Sequence, residues 1–169
     1  GDVSTCSFHA TKIFHTGEGG AFFCNDIELN KKLFYSHNFG HKSKIDFHGV
    51  GINAKMSELQ AAMGLCVLPY MDDIIRARKH ICNLYDSLLN FELIKKLKVR
   101  AKTKWNYCYY PIILYSEKQL LEVEVVLAQN DIVPRRYFFP SLSKLSYVNN
   151  TNDTKISDDI SMRVLCLPL

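Results

Sequence analysis

The feature that most constrains the fold is a glycine-rich segment near the N-terminus, residues 7–20, with a single lysine in its middle. An apolar and β-branched run, Val3 to Phe8, leads into it, and Ala21-Phe22-Phe23-Cys24 leads out. Its three glycines allow backbone conformations that side chains would forbid. The pattern therefore predicts a strand, a polar loop that carries Lys12, and a second strand.

A lysine in such a loop has two interpretations. On spacing alone, Lys12 is a surface residue of a glycine-rich hairpin. Alternatively, a lysine held in a rigid, desolvated pocket can lose its proton, and the neutral amine is then a nucleophile that forms Schiff bases. Spacing alone favours the surface lysine.

Composition narrows the class of protein. The chain has 169 residues, of which 47% are hydrophobic and 22% are charged, as in a globular protein. A net charge of +4 without a basic stripe suits an anionic small molecule and predicts no nucleic-acid partner. No signal peptide or membrane-length apolar run is visible, so we expect a cytoplasmic protein with no membrane partner.

Cysteine usage agrees with that compartment. The six cysteines are scattered, without a Cys-x-x-Cys pair, and most stand in apolar sequence. They are therefore predicted to be buried free thiols of a cytosolic protein. They are Cys6, Cys24, Cys66, Cys82, Cys108 and Cys166.

Helix signals organise the first half of the chain. Asp26 is placed to cap a helix that ends near Asn38, and residues 37–51 have loop composition. Ser57 with Gln60 forms a capping box for a second helix. Pro69 marks a kink or a helix boundary. A long amphipathic helix follows, and the stripe from Met71 to Leu89 is expected to face the core.

The second half indicates a small α/β unit. The predicted elements are a basic loop at Lys95 to Lys104, a strand at Trp105 to Leu114, a helix capped by Ser116, a short strand at Ile132-Val133, a loop tip at Asn149 to Asp153, and a helical turn near Ser157.

Two stretches resemble the signatures of one enzyme family. Ser-Phe-His-Ala-Thr-Lys at 7–12 with Gly-Glu-Gly-Gly at 17–20 is the first, and Gly-Ile-Asn-Ala-Lys-Met-Ser-Glu-Leu-Gln-Ala-Ala at 51–62 is the second. In this order they are similar to the DegT/DnrJ/EryC1/StrS family of pyridoxal 5′-phosphate (PLP)-dependent sugar-nucleotide aminotransferases. The resemblance covers essentially the whole chain.

The resemblance implies an α/β fold of two parts. Residues 1–75 would be the C-terminal part of a fold-type I PLP-binding large domain. Residues 76–169 would supply a long linking helix and a small, truncated C-terminal α/β domain. Both ends of the chain look cut from something longer, so we expect a C-terminal fragment that lacks the N-terminal half of the site.

The resemblance also assigns cofactor-binding residues. Lys12 would carry PLP as a Schiff base and move a proton between substrate and cofactor. Ser7 would hydrogen-bond the phosphate region, unless it is a plain strand serine. Asn53 would reach the phosphate of the neighbouring subunit's cofactor, which implies a homodimer with shared active sites; otherwise it is a turn asparagine.

A third segment is expected to contact substrate. Arg135, Arg136 and Tyr137 resemble a loop near the sugar nucleotide in relatives, and guanidinium groups suit a diphosphate. A charged loop with an aromatic anchor is the equally open alternative. Glu18 is expected to fix the lysine loop. The scattered histidines lack a ligand pattern, so no metal is expected.

The resemblance implies transamination of a nucleotide-linked keto-deoxysugar, dTDP-linked by its motif spelling, with glutamate as amino donor. Related sugar dehydratases carry His at the position of Lys12, so lysine favours amino transfer. The groups that tune the cofactor precede this chain in the family, so the isolated fragment is expected to be inactive. The alternatives are a non-catalytic dimerisation module and a PLP-dependent dehydratase relative.

Overall fold

The computed structural model describes residues 1–149 and 153–169. These residues group into two compact units, Gly1–Ile74 and Ile75–Leu169. The loop tip predicted at 149–153 falls largely on residues 150–152, which lie outside the described residues. Among the helices that the structure describes, none combines the length and apolar character needed to cross a bilayer.

The first unit begins with the predicted hairpin. Strands β1 (Ser4–Ser7) and β2 (Gly20–Phe23) pair antiparallel, with Ser4 opposite Phe23 and Ser7 opposite Gly20. Helices α1 (Ile27–His37) and α2 (Glu58–Val67) follow. The strand, loop and strand predicted around Lys12 are therefore confirmed.

The helix starts follow their capping residues. Asp26 accepts a hydrogen bond from Leu29 N at the start of α1. Ser57 and Gln60 form a complete capping box at the start of α2. Ser116 accepts from the backbone of Gln119 at the start of α4 (Glu117–Ala128). Each cap satisfies a backbone N–H that has no partner inside the helix, which is why short polar residues could locate these starts.

Pro69 lies at a helix boundary. A 3-10 turn, Leu68–Tyr70, separates α2 from α3 (Met71–Leu88). Cys82 is the buried centre of the α3 stripe, but Leu88 is 79% exposed, so the expected stripe is wrong at that position. Leu88 stands six residues after Cys82, about 120° around the helix, and therefore faces away.

The second unit is built on a three-stranded antiparallel sheet in the order β3-β4-β5. Its strands are β3 (Lys95–Lys96), β4 (Tyr110–Ile113) and β5 (Val164–Leu167). Helix α5 (Lys155–Arg163) leads directly into β5. The core of this unit consists of buried residues from α3, β4, α4 and β5. They are Cys82, Tyr110, Ile112, Leu114, Leu120 and Leu165.

Three predictions for this unit need correction. The strand expected from Trp105 begins only at Tyr110, because Tyr107 has a φ of 55° and cannot continue a strand. The basic loop contains β3. Ile132-Val133 forms no strand, and Asp131 before it has a φ of 58°. The expected final turn is the longer helix α5, and β5 after it was not predicted.

Burial differs sharply between the two units. Every buried apolar side chain of the described residues belongs to Ile75–Leu169. The cysteine prediction is confirmed in that all six are free, but it is wrong on burial: Cys82 and Cys166 are buried, while Cys6 and Cys66 of the first unit are exposed. Burial raises the pKa of both buried thiols.

Candidate active site

The lysine loop is closed by backbone hydrogen bonds above the hairpin. Phe8 N donates to Gly19 O at 2.9 Å, and Thr16 N donates to Phe8 O at 2.9 Å. Inside the loop, Lys12 N donates to His9 O at 2.9 Å, which forms a tight turn. Lys12 therefore sits in a loop that is closed on the backbone of Phe8 by Thr16 and Gly19.

Lys12 differs from the other lysines in burial. Its side chain is half-buried, whereas every other lysine of the chain is exposed. No hydrogen bond or ion pair engages its amine among residues 1–149 and 153–169. An ammonium without a carboxylate partner keeps its chemistry available for a ligand.

His9 links the lysine turn to the glutamate of the glycine segment. Thr11 N donates to His9 Nδ1 at 3.2 Å, and His9 Nε2 lies 3.5 Å from Glu18 Oε1. A backbone N–H can only donate, so Nδ1 accepts and the ring proton stands on Nε2, facing Glu18. Glu18 thus contacts His9 of the same loop, and the loop-fixing role expected for it stays a prediction.

Thr16 anchors the loop and was missed by the sequence analysis. It is only 3% exposed, and its Oγ1 donates to Glu18 O at 2.7 Å. A Cβ on Gly19, which has a φ of +152°, would lie 2.5 Å from Thr16 Oγ1. A Cβ on Gly64 of α2 would lie 2.9 Å from Thr16 Cγ2. A threonine in a polar loop gives no signal of burial. Gly64 within α2 is the one sequence feature that is consistent with such a close approach.

The structure brings Ser7 and Lys12 to the same turn. Ser7 Oγ accepts a long hydrogen bond of 3.4 Å from His9 N, and the carbonyl of His9 receives Lys12 N. Ser7 is exposed. Its hydroxyl hydrogen therefore remains available to an external acceptor.

Asn53 lies on a separate loop of the same unit. It pairs with Asn38 at the end of α1 in an isolated antiparallel bridge, and its side chain is exposed. Lys55 Nζ donates to Asn53 Oδ1 at 2.6 Å. A groove of about 690 Å³ runs between this loop and the hairpin; its lining includes Cys6, Gly20, Lys55 and Gln60.

The arginine loop belongs to the second unit, and its two guanidinium groups differ. Arg135 exchanges backbone hydrogen bonds of 2.9 Å with Cys166 and leaves its guanidinium exposed, 4.3 Å from the ring centroid of Tyr137. Arg136 is half-buried, pairs with Glu117, and donates to Met162 O at 3.1 Å. The Arg136 guanidinium is thus engaged by Glu117 and Met162, whereas the Arg135 guanidinium is exposed to solvent.

Tyr137 has a partner that the sequence analysis did not identify. Tyr109 OH donates to Tyr137 OH at 3.0 Å, and the ring centroids lie 4.8 Å apart. This hydrogen bond, together with burial, raises the pKa of Tyr109 well above its ordinary value. The two residues are 28 positions apart in the chain, so no local pattern could have joined them.

Within the described ranges, no group of three or more His, Cys, Asp or Glu side chains could hold a metal ion. The chemistry gathered in the first unit is instead an amine, a hydroxyl and an amide on glycine-rich loops.

The model of the DegT/DnrJ/EryC1/StrS aminotransferase family matches residues 1–169. The chain belongs to this family. It is similar to the dTDP-4-amino-4,6-dideoxy-D-glucose transaminase of Shigella dysenteriae, with 37% identity over 100% of this chain and 48% of the relative. The chain thus spans about half the length of the curated relatives that it matches.

Solved structures of this family carry the same fold. An aminotransferase of the family from Brucella abortus superposes with a TM-score of 0.89 and 26% identity, over 100% of this chain and 46% of that chain. DesI, solved in the presence of its TDP-sugar product, gives a TM-score of 0.85 and 29% identity, over 100% of this chain and 45% of its own. The α/β fold expected for a portion of such an enzyme is therefore confirmed.

Proposed function

We propose that this chain supplies the cofactor lysine, Lys12, for PLP-dependent amino transfer to a nucleotide-linked keto-deoxysugar in the cytoplasm. The observation that carries the proposal is the state of Lys12: it is half-buried, no residue that the structure describes engages its amine, and it stands at the family's motif position. The likeness to a dTDP-aminosugar transaminase supports a dTDP-linked acceptor. Glutamate as amino donor is part of the proposal.

The residues present fit PLP. The Lys12 amine is free to bond an aldehyde, and the exposed Ser7 hydroxyl, which already accepts from His9 N, can donate to a phosphate oxygen. The loop that joins the two residues is closed by hydrogen bonds from Phe8 N to Gly19 O and from Thr16 N to Phe8 O. We assign Lys12 and Ser7 to one cofactor and Asn53 to the phosphate of a cofactor in a neighbouring subunit.

When bound, PLP supplies an electron sink for the carbon that loses a proton. The chain's residues do the rest. Lys12 takes that proton on its amine and returns it, which requires an amine not tied to a carboxylate. Lysine rather than histidine at this position favours amino transfer over dehydration. Arg135 and Tyr137 are assigned to the substrate diphosphate and nucleotide, with Arg136 holding their loop through Glu117.

A non-catalytic assembly module is the second candidate, and the exposed apolar surface of the first unit is the observation that favours it. Gly1–Ile74 buries no apolar side chain, and Val50, Ile45 and Leu59 are 96%, 91% and 85% exposed. A unit with so much exposed apolar surface needs further polypeptide to cover it. In the proposed enzyme a homodimer with shared active sites provides part of that cover, and the isolated chain is inactive.

The proposal is tested by amino transfer in the protein assembled with the polypeptide that completes its site. We expect conversion of a dTDP-linked 4-keto-6-deoxysugar in the presence of glutamate, detected by chromatography of the nucleotide sugar. Lys12→Ala should abolish conversion because no amine remains to move the proton. Lys32→Ala, which removes an exposed lysine on α1, should not. Conversion by the Lys12→Ala variant would contradict the proposal.

A further inference from the structure

Backbone hydrogen bonds to α1 hold the loop that carries Asn53 in place. Ile52 N donates to Ser36 O at 2.8 Å, and Ala54 N donates to His37 O at 2.9 Å. Asn53 therefore stands between two backbone hydrogen bonds to the end of α1. Its side chain projects from a fixed point.

Lys55 determines which end of the Asn53 amide faces outward. Lys55 Nζ donates to Asn53 Oδ1 at 2.6 Å, and the same ammonium lies 4.1 Å from the ring centroid of Phe39. An ammonium has three donors and no acceptor, so it must face the amide oxygen rather than the nitrogen. Both amide N–H donors are then directed away from Lys55. Because Asn53 is exposed, they are open to a ligand.

No acid among the described residues neutralises the charge of Lys55. Across residues 1–149 and 153–169, no carboxylate forms an ion pair with Lys55; its second contact is the face of the Phe39 ring. An aromatic face holds a cation without cancelling its charge. Two oriented amide donors beside a net positive charge favour an anionic oxygen, as on a phosphate.

We propose that Lys55 is a positioning residue, which orients the Asn53 amide so that its N–H donors meet the cofactor phosphate. The inference rests on the proposed function, which assigns Asn53 to that phosphate. Lys55 acts through its donor and its charge, and both are retained by arginine. Lys55→Arg should therefore preserve the arrangement, whereas Lys55→Met keeps the aliphatic stem and removes the donor.

The arrangement can be tested in the protein without any ligand. The side-chain carbonyl carbon of Asn53 reports by NMR whether its oxygen accepts a hydrogen bond, and its resonance is identified by its loss in Asn53→Ala. We expect it to shift in Lys55→Met and to stay near the wild-type position in Lys55→Arg. Lys44→Met removes an exposed lysine from the same loop region and should leave it unchanged. An unshifted resonance in Lys55→Met would overturn the proposal.

A double-mutant cycle separates positioning from direct contact. In the protein assembled with the polypeptide that completes its site, calorimetric titration with PLP should show about tenfold weaker binding in Lys55→Met, the loss expected for one charge-assisted hydrogen bond. If Lys55 acts through Asn53, Asn53→Ala combined with Lys55→Met binds no more weakly than Asn53→Ala alone. Losses that multiply would show that Lys55 contacts the phosphate itself and would overturn the positioning role.

The two proposals fail differently. If wild-type protein binds no PLP, the proposed function falls, while the Asn53 resonance still decides whether Lys55 orients the amide. If PLP binds and modifies Lys12 but Lys55→Met behaves as wild type in both experiments, the positioning role of Lys55 alone is wrong.

Discussion

Lys12 is held in its loop by the contacts of neighbouring residues. The turn that holds it is closed through His9 O, and the ring of the same histidine reaches Glu18 across the loop. The motif located the lysine in the sequence. The burial of the anchor Thr16 could not be inferred, because it depends on the approach of α2 at Gly64.

The glycine segment gives a prediction at this scale. Gly19→Ala should destabilise the loop by about 1–3 kcal/mol, because the residue has a φ of +152° and a Cβ there would lie 2.5 Å from Thr16 Oγ1 and 2.8 Å from Met56 Cε. Urea unfolding measures the loss. Gly1→Ala, whose Cβ would meet nothing nearer than 3.8 Å, is the control and should unfold as wild type. Equal stability of both variants would refute this account of the loop.

At the scale of elements, local chemistry predicted helices better than strands. Asp26, Ser57 and Ser116 located three helices because a cap acts within one helical turn. The strands were harder. β5 pairs with β4, which lies more than 50 residues earlier, as in Leu167 opposite Tyr110. The apolar run at the end of the sequence contains no local signal that predicts this pairing.

Helix α5 is tied to the preceding loop through Asp158. Hydrogen bonds from Ser143 and Ser141, with Lys144 3.1 Å away, lower the pKa of Asp158 to about 2. The folded state therefore releases this proton more readily than the unfolded chain, whose aspartates titrate near ~3.9. The resulting stability is complete above about pH 4 and is lost as the pH falls toward about 2.

Asp158→Asn should accordingly flatten the acid limb of the stability curve. The expected result is a smaller fall in unfolding free energy between about pH 4 and about pH 2 than in wild type, measured by urea unfolding across that range. Asp72→Asn on α3 is the matched control and should retain the wild-type slope. An unchanged slope in Asp158→Asn would show that Asp158 does not stabilise the folded state.

At the scale of the whole molecule, the two units differ in whether they contain a buried apolar core. Ile75–Leu169 has its own core around Cys82, Leu120 and Leu165. Gly1–Ile74, which holds Lys12 and Asn53, has none, although its hairpin and helices match those of the family. The sequence motifs could locate the chemistry of this unit. They could not show that its apolar side chains are left for other polypeptide to cover.

The most direct test of the central claim is covalent capture of PLP. The protein, assembled with the polypeptide that completes its site, is incubated with PLP, reduced with borohydride and digested, and the modified lysine is identified by peptide mass. We predict that Lys12 is modified at far lower PLP concentration than any exposed lysine, and that Lys12→Ala abolishes this modification while Lys32→Ala does not. Modification spread over the exposed lysines, with Lys12 no more reactive than Lys32, would contradict the account.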